Sequence, residues 1–71
     1  MRPVEIADDA IRLGQLLQLA GIVDSGSDAK FLLAGGEVLV DGEPEPRRGR
    51  QLRPGAVVEA LGETVQVVRA P

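Results

Sequence analysis

Leu13, Leu16, Leu17 and Ala20 recur at the i, i+3, i+4, i+7 spacing that lines up apolar side chains on one face of an α-helix. Ala10 falls beside them, while Arg12, Gln15 and Gln18 point away. Asp8 or Asp9 is expected as the N-cap, its carboxylate accepting from free backbone N–H groups at the helix start. Gly21 stands where a left-handed residue ends a helix. Gly14 costs about 1 kcal/mol relative to Ala inside a helix. Its place on the edge of the apolar arc predicts close approach of another backbone.

A second helix opens at Ser25, and Ser25 and Asp28 have the S-x-x-D spacing of a capping box. Ala29, Leu32 and Leu33 form its apolar face, and Gly35-Gly36 stops it. Ile22-Val23-Asp24 joins the two helices. Helices of about ten residues are marginal alone, so these must pack on each other and on a further layer.

Residues 37–41 supply the first strand of that layer, with Val38 and Val40 on one face. Asp41-Gly42 is a type I′ hairpin signal. Pro44 and Pro46 cannot donate ladder hydrogen bonds, which predicts a short or edge strand on the return. Residues 47–53 read as a charged loop and Pro54-Gly55 as a turn. Residues 56–61 and 64–68 read as two strands joined at Gly62-Glu63, and residues 3–6 as a short edge strand. The order is (β)ααββββ, an α+β layout in which a two-helix hairpin packs on a small, mostly antiparallel sheet.

Composition narrows the chemistry. The 71 residues include no Cys, Trp or Tyr, no His and one Phe. One domain is expected over residues 1–71, with a small core of Val, Leu, Ile and Ala. Phe31 is expected to help fill it. Hydrophobic content of 44% with 27% charged is too apolar for a disordered tail. Disulfides, thiolate metal sites and His- or Cys-based catalysis have no residues to use. Residues 1–9 are acidic and lack the apolar stretch of a signal peptide, and no apolar run approaches a membrane span. A cytoplasmic protein with no membrane contact is the expectation.

Charge changes the picture more. The net charge of −3 argues, taken alone, against a nucleic-acid partner. Its distribution argues otherwise. Residues 1–46 carry three basic and nine acidic side chains, net −6; residues 47–53 carry Arg47, Arg48, Arg50 and Arg53 and no acid, net +4. Guanidinium is permanently charged and offers a planar fork of donors that matches phosphate oxygens. The plainer reading, a solvated loop paired with Glu43 and Glu45, is weighed against this. The cluster is the one stretch where basic charge is unopposed along the sequence, which favours a phosphate-binding loop. The acidic clusters lie at a helix start and in turns, where caps explain them. No catalytic residue, cofactor, metal or small-molecule substrate is expected.

The ordered set Arg12-Leu13-x-x-Leu16-Leu17-x-x-Ala20-Gly21, then Ser25-x-x-x-Ala29-Lys30-x-Leu32-Leu33-x-x-Gly36-x-Val38-x-Val40-Asp41-Gly42, resembles the αL-motif RNA-binding domain of small-subunit ribosomal protein S-four. The likeness runs from about Ile11 to Val68. The segment from Arg47 to Gly55 is similar to that of the small stand-alone YbcJ-type subgroup. Departures fall at Gly14, Gly26 and Asp41, where members often carry Asp, Arg and Asn. The resemblance implies a helix pair against a twisted sheet that binds structured RNA through the helix face and adjacent loop. It implies RNA-contacting roles for Arg12, Ser25, Lys30, Arg47, Arg48, Arg50 and Arg53, and ribosomal or transfer RNA as the class of ligand. The alternative is a protein-interaction module, associated with the ribosome or with an RNA enzyme, using exposed strand edges and an acidic face of Glu37, Asp41, Glu43 and Glu45.

Overall fold

The computed structural model describes residues 1–71. Strands β1 (Arg2–Ile6) and β2 (Ile11–Arg12) precede helices α1 (Leu13–Leu19) and α2 (Gly26–Ala34). Strands β3 (Leu39–Val40), β4 (Glu43–Pro44), β5 (Gln51–Leu52), β6 (Val57–Ala60) and β7 (Glu63–Arg69) follow. A five-stranded sheet runs in the order β1-β7-β6-β3-β4, and β2 pairs with β5 as a separate antiparallel ribbon. Only the β1–β7 pairing is parallel, so the sheet is mixed.

Period-two alternation builds the sheet's buried face. Val4 and Ile6, Val38 and Val40, Val58 and Ala60, and Val65 and Val67 all turn inward. Leu13, Leu16, Leu17 and Ala20 meet them from α1, and Ala29 and Leu33 from α2, in one continuous core. The α+β layout and the α1 face are as the periodicity predicts; on α2, Ala29 and Leu33 are buried as expected, whereas Leu32 is only half-buried at the edge of the core. Ser25 caps α2, its Oγ accepting from the Asp28 N–H at 3.1 Å. Asp41 (φ +50°) and Gly42 (φ +86°) form the expected two-residue turn between Val40 and Glu43. β4 is short and lies at an edge, as its prolines require.

Four expectations are corrected. Neither Asp8 nor Asp9 caps α1: the helix starts five residues after Asp8, with Arg12 at the N-cap. Residues 47–53 are not all loop, because Gln51–Leu52 forms β5 and Leu52 is buried. The last hairpin turns one residue earlier than expected, at Leu61 (φ +50°) and Gly62 (φ +77°), between paired Ala60 and Glu63. Phe31 is not in the core; it is 81% exposed. It sits two positions after Ala29 on α2, about 200° round the helix from it and outside the buried stripe.

Candidate nucleic-acid interface

A two-residue antiparallel pairing holds the arginine loop against the start of α1. Ile11 pairs with Leu52 and Arg12 with Gln51, which brings β5 alongside the chain entering the helix. The first helical amides then find their acceptors in the loop. Leu13 N–H donates to the Arg50 carbonyl at 2.8 Å, and Gly14 N–H to the Arg48 carbonyl at 2.9 Å. These are amides that no intrahelical carbonyl can reach, and their satisfaction by the loop leaves no need for an aspartate cap. The Gln15 side chain accepts from the Arg12 N–H at 3.4 Å, completing the start.

Gly14 allows the approach of Arg48, though the close neighbour is that residue's side-chain stem rather than the backbone that the position predicts, since the Arg48 carbonyl oxygen would lie 3.5 Å from a Cβ. A Cβ there would press on Arg48 Cγ and lie 3.1 Å from Arg48 Cδ. The stem of Arg48 therefore crosses the helix at Gly14. Its head joins Arg12 in a concavity of about 360 Å³ lined by Arg12, Gly14, Gln15, Gln18, Gly26, Arg48 and Gly49. No carboxylate and no apolar side chain lines it. Two guanidiniums, two amides and a floor of three glycines offer donors and open backbone to an oxygen-rich ligand. Lys30 follows Gly26 by four residues and so shares its flank of α2, one turn further along.

The other arginines are held differently. Glu45 is the one buried charged residue, 5% exposed, set between Pro44 and Pro46. Its backbone N–H donates to the Val38 carbonyl, extending the β3–β4 pairing. Its carboxylate accepts from Arg47 Nε at 3.1 Å and Nη2 at 3.0 Å, from the Arg47 backbone N–H at 3.1 Å, and from Arg50 Nη1 at 2.9 Å. The Arg47 side-chain bonds, then those from Arg50, hold its carboxyl well below the usual carboxylate range, at about 2. The same contact raises the Arg47 guanidinium. Arg53 lines a neighbouring depression with Asp41 and Arg50.

Of the seven residues expected to bind, Arg12 and Arg48 converge, with Lys30 on the adjoining flank. Arg47 and Arg50 are clamped by Glu45, Arg53 stands apart, and the Ser25 hydroxyl is engaged as a cap. The basic charge of the loop is thus not unopposed, as it looks along the sequence: one buried carboxylate engages two of its four guanidiniums. The acidic face expected for the alternative reading also loses one member. Glu45 is buried, whereas Asp41 stays exposed while its Oδ1 accepts from the Val57 N–H at 3.0 Å. Gln15 and Gln18 are additions to the site; their outward place on α1 was the available signal.

Residues 4–68 match the S4 domain family. The chain is 50% identical over 60 residues to the probable ribosome maturation protein RlbA of Bacillus subtilis, covering 84% of each. It is 41% identical over 58 residues to the putative RNA-binding protein YbcJ of Escherichia coli, covering 82% of this chain and 83% of that one. The solution structure of YbcJ, which reveals an αL motif involved in RNA binding, superposes with a TM-score of 0.73 at 36% identity, over 96% of this chain and 87% of that one. The 30S ribosomal protein S4e of Thermoplasma acidophilum superposes with a TM-score of 0.60 at 26% identity, over 80% of this chain and 30% of that one. No helix is long and apolar enough to cross a membrane. With the match spanning nearly its whole length, and the helix pair, sheet and arginine loop in place, the chain belongs to the S4 domain family.

Proposed function

We propose that this chain is a non-catalytic, cytoplasmic RNA-binding protein, acting as one domain, that grips the sugar–phosphate backbone of structured ribosomal RNA during ribosome maturation. The observation that carries the reading is the seating of the Arg48 and Arg50 carbonyls on the first amides of α1. It brings Arg48 beside Arg12 over a glycine floor free of carboxylates. Phosphate oxygens take such donors in forked pairs. Glu45 holds Arg47 and Arg50 in fixed geometry at the margin, which lowers the ordering cost of binding. The kinship with RlbA and with S4e favours ribosomal over transfer RNA. With no Tyr, Trp or His, and Phe31 outside the basic concavity, backbone and shape recognition is favoured over base stacking.

The test is fluorescence anisotropy with a labelled helical ribosomal RNA fragment across a salt series. Each phosphate contact contributes roughly 0.7 to 0.9 to the slope of log affinity against log salt. Replacing Arg47, Arg48 and Arg50 together with Ala should flatten the slope by about 2 to 3. A triple variant that binds as tightly as the parent at low salt would remove the loop from the interface.

A further inference from the structure

The one aromatic side chain of the molecule lies on its surface and has a specific setting. Phe31 lines a concavity of about 470 Å³ with Ile22, Val23, Leu32 and Leu61, whose remaining side chains are Asp24, Asp28 and Glu37. No basic residue lines it, and none of the three carboxylates is in an ion pair. A lone exposed apolar residue needs no explanation. Two large ones, 81% and 60% exposed, converging inside an acidic rim do.

Leu61 adds an independent observation. It sits at φ +50°, the first position of a two-residue turn. That conformation suits Asn, Asp or Gly and is unusual for a bulky side chain. The molecule's other turn of this kind puts Asp41 at the same position. The Leu61 side chain is turned outward against steric preference, into the concavity that Phe31 lines. Next to it, a second depression shares Glu37 and Leu61 and adds Glu59 and Glu63, of which Glu63 pairs with Arg2.

Helix α2 separates this surface from the basic one. Asp28, Phe31 and Leu32 follow the i, i+3, i+4 spacing of one flank, whereas Gly26 and Lys30 share the other. An apolar centre ringed by acid is the complement of a basic polypeptide with an apolar anchor, and it repels phosphate. We propose that the Phe31–Leu61 concavity docks a lysine- or arginine-rich segment of a partner protein, which inserts an apolar side chain between Phe31 and Leu61 while its cations meet Asp24, Asp28 and Glu37. The proposal stands apart from the RNA reading, since the two surfaces share no lining residue.

The experiment is an NMR titration of the full chain, labelled with ¹⁵N, against a synthetic lysine–leucine peptide and, separately, a ribosomal RNA helix. With the peptide, amide shifts should gather at Asp28 to Leu32, Glu37 and Leu61 and leave Arg12 and Gly49 unmoved. Phe31→Ser should weaken peptide binding about tenfold or more with RNA binding unchanged; its exposure makes it safe for folding. The pair Asp28→Asn and Glu37→Gln should weaken it several-fold and reduce its salt dependence. If Phe31→Ser binds the peptide as the parent does, the attraction is charge alone and the docking site is refuted. Shifts at this face caused by RNA, or by raising the concentration of the chain without peptide, would give the surface to RNA or to a second copy and overturn the proposal.

Discussion

The arginine loop has two halves that differ in what their charge is for. At Glu45, two guanidiniums converge on one buried carboxylate, and every polar atom of that carboxylate is engaged. At Gly14, Arg48 and Arg12 face an open, carboxylate-free concavity. The clamped half resembles a structural ion triad, satisfied within the chain. The open half presents donors with no acceptor of its own. Four arginines within seven residues look equivalent as a sequence, yet the fold divides them: Arg47 and Arg50 hold the loop, Arg48 is held out by it, and Arg53 lines a separate depression.

Three substitutions and one titration bear on that division. The largest effect is expected from Leu52→Ala, because buried Leu52 secures β5 and with it both halves. A loss of about 2–5 kcal/mol is expected from such a truncation, measured by urea denaturation. If RNA affinity survived that loss in the folded fraction, the loop would not need its anchor on α1. Glu45→Gln comes next and acts on the clamped half. The melting temperature should fall, since Arg47 and Arg50 lose a charged acceptor, and RNA affinity should fall several-fold as the two arginines lose their fixed geometry. An unchanged affinity would mean that the clamp does not serve RNA binding.

Gly14→Ala acts on the open half. It gains up to about 1 kcal/mol of helix propensity, but its methyl displaces the Arg48 stem. RNA affinity should drop several-fold with little change in melting temperature, and a structure with Arg48 undisturbed would sink the assignment. The smallest effect near neutrality is that of pH on the clamp. Glu45 has its carboxyl lowered on folding from 4.5 to about 2. Its contribution is therefore complete above about 4.5 and is lost as pH falls through about 2. An NMR titration of the Glu45 side chain should find no transition between pH 7 and 4; one in that interval would show the clamp to be open in solution.

Local rules carried most of the fold. The two helical faces, the Ser25 cap, the Asp41-Gly42 turn and the short proline-bearing edge strand all follow from spacing within a few residues. The misjudged positions depend on partners far along the chain. Asp8 and Asp9 are sound capping residues, but carbonyls from Arg48 and Arg50 fill that role, some 35 residues on. The parallel pairing of β1 has no local signature at all. Phe31 is a different case, because its offset from the Ala29–Leu33 stripe was readable. Glu45, bracketed by prolines and followed by two arginines, carried a visible hint of an internal ion pair, but nothing local reveals that it is buried.

One consequence of the mixed sheet concerns time rather than shape. Arg2 lies opposite Val65 and Ile6 opposite Arg69, so β1 closes on a strand made almost at the other limit of the described chain. Contacts so distant in sequence are the slowest to form. During synthesis, β1 emerges first and its partner last, and Val4 and Ile6 have no sheet to enter meanwhile. The helix pair and the β3–β4 hairpin involve closer partners. Val4 and Ile6 can be covered only once β7 has taken its place beside β1.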